Sequence, residues 1–167
     1  MKYADTYSKL SEFGRELLNK KSLPEGLPHI SKYVKDVIGA DRCSIFINDD
    51  ESKELWTTLA DGIETITIPS DKGIVGHTLV EKKPIIENNV YESPYFLSDI
   101  DAETGYTTKN IVTAPIFNSQ RKIIGILELL NKEGGFDNDD VKFMIFFAHY
   151  ISGFIELANL YSDHHKG

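Results

Sequence analysis

The segment Asp71-Lys72-Gly73-Ile74-Val75-Gly76-His77 places two glycines at the opening of a short helical pattern. Ile74, Val75, Thr78 and Leu79 share one face of that pattern. The first N–H groups of a helix have no partners within it, and the helix dipole is positive there. Such an end holds a phosphate without any arginine. The same spacing also suits an ordinary glycine-containing turn into a helix. A second set of polar residues is Asn131-Lys132, followed by Phe136 and Asp140. Taken alone, it reads as a turn with a helix cap.

Other chemistry is weakly supported. His29, His77, His149, His164 and His165 have no metal-ligand spacing with Cys, Asp or Glu, so no metal site is expected. His164-His165 reads as a solvated tail. Neither a G-x-S-x-G nor a P-loop pattern occurs. A cysteine–histidine dyad would have to use Cys43, the single cysteine, which lies mid-strand where a buried structural thiol is expected. One cysteine allows no intramolecular disulfide, which suits a reducing cytoplasm.

The elements that must position these residues follow from periodicity. Tyr3, Tyr7, Leu10, Leu17 and Leu18 mark a first helix, with Gly14 as a weak point. Leu23-Pro24 opens a second pattern, marked by Leu27, Ile30, Val34, Val37 and Ile38, with Pro24 in its first turn; its regular part is expected to begin at Pro28 and to stop at Gly39. Strands are expected over 42–48, 54–60, 63–69 and 84–87, with a short helix over 73–82. Residues 88–109 are polar with little periodicity, the mark of a functional segment. Residues 110–117 and 122–130 form a hairpin around Asn118-Ser119-Gln120-Arg121. A long helix over 137–161 puts Val141, Met144, Ile145, Ala148, Ile151, Ile155 and Ala158 on the sheet. The expectation is an α+β fold, a central antiparallel sheet of about six strands flanked by N- and C-terminal helices.

The chain has 167 residues, 41% hydrophobic and 26% charged, which fits one globular domain. A formal net charge of -8 disfavours nucleic acid and anionic membrane surfaces. The N-terminus lacks a signal-peptide hydrophobic region, and the longest apolar runs, such as 144–148, are too short to span a bilayer. A cytoplasmic protein without direct membrane contact is expected.

Many short segments resemble, in order, the GAF domains of cyclic-nucleotide phosphodiesterases and related bacterial adenylyl cyclases. They include Arg42-Cys43-Ser44-Ile45-Phe46, Ala60-Asp61-Gly62, Gly73-Ile74-Val75-Gly76-His77 and Asn89-Val90-Tyr91. Thr104-Gly105-Tyr106, Thr108-Lys109-Asn110-Ile111 and Leu129-Leu130-Asn131-Lys132 continue the match. Nucleotide-binding members carry Asn-Lys, a gap, Phe, three residues, then Asp-Glu. Here Asn131, Lys132, Phe136 and Asp140 match, and Val141 stands in place of Glu. The resemblance makes Lys132 and Asp140 an internal ion pair that braces the pocket.

It further implies a ligand set. Ser44 faces the base and Asp61 the purine edge. Ile74 and Val75 offer backbone N–H groups to a cyclic phosphate, and Tyr91 its hydroxyl. Thr104, Thr108 and Glu128 line the ribose and phosphate side. The expected whole is a single GAF domain over 1–167, with a core of about 23–160 and an N-terminal connecting helix over 1–22. It would sense cyclic AMP or cyclic GMP without a cofactor. It would relay to a covalently linked output domain through terminal helices, as a homodimer. The alternative is a GAF domain that binds another small molecule or none and serves in dimerisation. No enzyme activity is expected. GAF reductases of free methionine sulfoxide use several cysteines, and bilin attachment needs a helix or loop cysteine.

Overall fold

The computed structural model describes the backbone of residues 2–17, 19, 22–58, 65–96 and 106–165. Helix α1 spans Lys2–Leu17 and α2 spans Leu23–Ile38. Strands β1 (Ala40–Asp49), β2 (Glu54–Thr58) and β3 (Thr65–Pro69) follow, then helix α3 (Gly73–Glu81). Strand β4 (Ile85–Glu87) leads into a single 3-10 turn, Val90–Glu92. Strands β5 (Ile111–Phe117) and β6 (Ile123–Lys132) precede the long helix α4, Asn138–His165.

All strand pairings are antiparallel, in the order β3-β2-β1-β6-β5-β4. The expected α+β architecture is the observed one. Alternation along each strand divides the core in two. Ile45, Ile47, Val112, Ala114, Ile116, Leu127 and Leu129 face α1, α2 and α4. Phe46, Leu55 and Ile126 face α3 instead, together with Val75.

The start of α2 differs from expectation. The helix begins at Leu23 rather than Pro28, because Ser22 caps it by accepting from the Glu25 N–H and the Gly26 N–H bonds to the Ser22 carbonyl. Pro24 sits where a missing N–H costs nothing. Pro28 lies inside, tolerated because Leu27 and Ile30 on either side are fully buried. Gly39 stops the helix in the left-handed region, as expected.

The buried arc of α4 is also rotated from expectation. Met144, Phe147, Ala148, Ile151, Ile155 and Ala158 are buried, whereas Ile145 is exposed. Phe147 is drawn in by an aromatic stack: its ring lies 5.3 Å from Tyr33 and 5.5 Å from Phe13. Two elements therefore compete for the helix, the sheet below and α1–α2 beside it. Leu10, Phe13 and Leu17 of α1 join that packing, while the side chains of Tyr3, Tyr7 and Leu18 lie outside the described set. Helix α1 runs through Gly14, where a Cβ would meet the Tyr150 hydroxyl.

Residues Asn138–Ala158 are long and apolar enough to cross a membrane by length and composition. The expectation of no such segment counted only unbroken apolar runs. Here the helix lies on β5, β6 and α2. Phe146, Tyr150 and Leu157 nevertheless remain exposed along its outer side, at 50%, 44% and 69%.

Candidate functional site

On the α3 side of the sheet, one row breaks the apolar pattern. Ser44 of β1 pairs with Glu128 of β6, and Glu128 pairs with Thr113 of β5. Directly paired residues share a face, so these three polar side chains form a row across the sheet. Phe46 and Ile126 lie on one flank, in a cluster with Leu55 and Val75. Ile111 and Leu130 lie on the other, with Ile74 and Val90. Burial pushes the Glu128 carboxyl up to about 7. Among the described residues it receives no hydrogen bond.

Helix α3 lies over this row. Ile74 enters one apolar cluster and Val75 the other, which seats the helix across the gap between them. Thr78 reaches the row itself: its hydroxyl donates to the Ile74 carbonyl at 2.8 Å and lies 2.5 Å from the Thr113 hydroxyl. Both threonines are fully buried.

The opening of α3 is uncapped. Its N-cap residue is Lys72, whose side chain is a donor only and makes no cap bond. The Gly76 N–H bonds to the Lys72 carbonyl at 3.1 Å, and the N–H groups of Gly73, Ile74 and Val75 come before it. Among the described residues, those three donors make no hydrogen bond. Both glycines are required. Gly73 has φ +73°, and a Cβ on Gly76 would stand 2.8 Å from the Ser70 carbonyl oxygen.

The segment after β4 is fastened at both ends. At its start, Val90 is buried and its N–H donates to the Lys109 carbonyl. Tyr91 is exposed and meets Phe96 edge-on at 5.3 Å. Tyr95 stacks on His77 of α3 at 3.6 Å, beside a cavity of about 320 Å³ also lined by Ile74, Ile85 and Ser93. Ser44, Thr113 and Glu128 do not line that cavity, which lies outside α3.

At its end, Asn131 takes control. Its backbone has φ +60°, and its carbonyl oxygen accepts from the Lys109 and Asn110 N–H groups at 2.7 and 3.3 Å. Its amide donates to the Tyr106 hydroxyl and the Thr107 carbonyl. Tyr106 donates in turn to Asp41 at 2.6 Å, and the Arg42 guanidinium lies 3.6 Å above its ring. Burial first, then the Asp41 carboxylate, pushes the Tyr106 phenol up to about 12.

The next residues fasten α4. Lys132 meets Asp140 at 2.7 Å, with 25% and 9% of their side chains exposed. The other Asp140 oxygen accepts from the Asp137 N–H, and Asp137 accepts from the Asp140 N–H. The latter bond holds the Asp137 carboxyl below its ordinary value. Phe136 is buried, and Asn88 bonds both its N–H and its carbonyl.

Of the expected ligand residues, Ser44 and Glu128 stand side by side, with the Ile74 and Val75 amides at the opening of the helix above. Tyr91 and Thr108 lie on two stretches joined by the Val90–Lys109 bond. Thr108 is buried. Asp61 and Thr104 lie outside the described residues. Thr113, Thr78, Asn88 and Tyr106 escape sequence reasoning as site residues. The first is one of an alternating series in β5, and only the register reveals that it faces Glu128.

A family model described as the GAF domain matches residues 22–155. This chain belongs to the GAF family. Among curated proteins, it is 28% identical over 147 residues to a probable 3',5'-cyclic phosphodiesterase, pde-5, of Caenorhabditis elegans. That match covers 79% of this chain and 20% of the relative, so the GAF chain spans about a fifth of the relative's length. Among solved structures, it is similar to the GAF domain of a phosphoenolpyruvate-protein phosphotransferase from Coxiella burnetii. The TM-score is 0.79 at 18% identity, covering 94% of this chain and 96% of that one. It is also similar to a free methionine-R-sulfoxide reductase from Neisseria meningitidis. There the TM-score is 0.71 at 16% identity, covering 90% and 88%. GAF domains are often small-molecule-sensing regulatory modules, and the family also includes enzymes.

Two outcomes follow from this geometry. Lys132→Ala leaves a largely buried Asp140 without its cation. The loss in urea unfolding is expected between the about 0–1 kcal/mol of an exposed pair and the about 3–5 kcal/mol of a buried one. Lys142→Ala, on an exposed position of α4, is expected to cost little. Equal stability of the two variants would show that the pair does not brace the fold.

Glu128 sets the second outcome. Its folded value, about 7, lies above the unfolded value of 4.5, so the folded state holds more protons between them. Stability therefore falls as pH rises from 4.5 to 7, and the full penalty remains above 7. Glu128→Gln is expected to raise the melting temperature at pH 8 more than at pH 5. A gain independent of pH would mean that the carboxyl is solvated.

Proposed function

We propose that this GAF domain binds a cyclic purine nucleotide at the opening of α3, beside the Ser44–Glu128–Thr113 row. The observation that carries this reading is the pairing of three N–H donors at the α3 opening, which have no acceptor among the described residues, with a polar row walled by two apolar clusters. A cyclic phosphate carries one charge, which a helix end and hydroxyl donors can hold without a basic patch. The Ile74 and Val75 amides and the Tyr91 hydroxyl would take it. A base and ribose have an apolar ring face and polar edges, which suits a polar row flanked by Ile126 and Leu130. Ser44 and Asp61 would meet the base, and Thr104, Thr108 and Glu128 the sugar side. Protonation of Glu128 near neutral pH lowers its repulsion of the phosphate.

The match to a cyclic phosphodiesterase over a fifth of its length supports a regulatory role within a longer protein that carries an output domain. The signal would leave through α1 and α4, with the exposed Phe146, Tyr150 and Leu157 of α4 meeting a second copy. A GAF domain that binds another small molecule, or that only dimerises, is the alternative supported by the same face. No reaction is assigned. Burial raises the Cys43 thiol above its ordinary value, and no second cysteine is present to resolve a disulfide.

Ligand at about one hundred times its dissociation constant is expected to add about 2.7 kcal/mol of stability, read as a rise in melting temperature. An unmoved melting curve in millimolar cyclic AMP and cyclic GMP would end the nucleotide reading. Self-association is tested by sedimentation at tens of micromolar. A dimer that Phe146→Glu dissociates is expected, and a monomer unchanged by that substitution would remove the dimer.

A further inference from the structure

The buried threonine pair has a direction. The Ile74 carbonyl carries no proton, so the single hydroxyl proton of Thr78 goes to it. The bond between the two hydroxyls must then run from Thr113 to Thr78. Thr113 has spent its proton and can offer only lone pairs to anything else. Its cross-strand neighbour is Glu128, an acceptor when ionised, whose Cβ lies about 5 Å away for such a pair. The middle of the row therefore presents adjacent acceptors, and no donor among the described residues serves the carboxylate.

We propose that the Thr78–Thr113 pair is a specificity determinant: by holding the proton of the buried Thr113 away from Glu128, it keeps that half-buried carboxylate an acceptor that selects ligands offering N–H or O–H donors. This rests on the nucleotide reading and extends it to two residues outside the implied ligand set. A cyclic nucleotide has two sources of such donors. One is a guanine edge, with N1–H beside an exocyclic NH2, where adenine places an acceptor at N1. The other is the ribose 2'-hydroxyl. An acceptor aimed at this row would meet lone pairs on both sides and lose its water without compensation.

The test is calorimetric titration at pH 8, where Glu128 is ionised, with cyclic GMP, cyclic AMP and 2'-deoxy cyclic GMP as probes. The wild type is expected to lose about ten- to a hundredfold in affinity when the donor it uses is removed, the range for a hydrogen bond to a charged group. Loss with cyclic AMP assigns the base edge, and loss with the deoxy analogue assigns the ribose. Thr78→Val frees the Thr113 proton to turn towards Glu128, so the same loss should shrink by about tenfold. Thr78→Ser keeps the bond to the Ile74 carbonyl and should restore the wild-type ratio. Thr78→Ala frees the same proton and serves if Thr78→Val fails to fold, whereas Thr113→Val removes that proton and should keep the wild-type ratio. An unchanged ratio in Thr78→Val and Thr78→Ala, or a shrunken one in Thr113→Val, overturns the directional lock alone. A wild type that prefers neither donor likewise overturns it, and one that binds no cyclic nucleotide overturns the nucleotide reading with it.

Discussion

The reversal of the chain at Asn131 is the constraint on which the rest depends. A left-handed residue at the end of a central strand turns one side chain into a four-bond bracket for the incoming segment. Asparagine tolerates that backbone better than most residues, and its amide supplies both donors and acceptors. Asn110 repeats the device one step away, exchanging bonds with the backbone of Lys132. With the backbone fixed there, Lys132 reaches Asp140, and α4 begins where its first turn is already bonded. One short stretch thus fastens residues 106–110 and the start of the long helix α4.

The second constraint is the row opposite. Ser44, Glu128 and Thr113 interrupt a face that would otherwise pack as one apolar core under α3. Withdrawing a carboxylate from water is costly where no described residue donates to it, and that burial pushes the Glu128 carboxyl up to about 7. An apolar residue there would join the two clusters into one and stabilise the fold. That a carboxyl stands in its place is the kind of local conflict found at functional sites. The opening of α3 is a second such conflict: a serine or aspartate at position 72 would satisfy one of its first N–H groups, which the Lys72 side chain does not.

Much of this was legible in the residues. The helical periods, the hairpin around 118–121 and the alternation in β6 specify an antiparallel sheet with helices on its faces. Gly73 and Gly76 mark the helix opening because a positive φ and a close backbone approach leave no alternative. Long-range choices stayed hidden. The exchange of Ile145 for Phe147 in the core depends on where α1 brings Phe13, information absent from the period of α4 itself. Thr78 and Thr113 are 35 residues apart and read as ordinary helix and strand residues until the register joins them. Pro28 misled because proline reports the missing bond at its own position and not the cap at Ser22 that starts the helix anyway.

The two constraints meet through the segment between them. Residues 106–110 touch Asn131 at one end, while Val90 and Tyr95 hold the other end against Lys109 and His77. A ligand seated under this segment would contact residues bonded to the same bracket that sets the start of α4. It shifts the helix only to the extent that it binds one arrangement of the bracket better than another. The bonds at Asn131 join residues 21 to 25 positions apart, and Lys132–Asp140 carries charge with limited solvent screening. A displacement of the segment would reach α4 through these bonds. The larger apolar cluster lies on the opposite face of the sheet, where Leu127 and Leu129 pack with residues of α2 and α4.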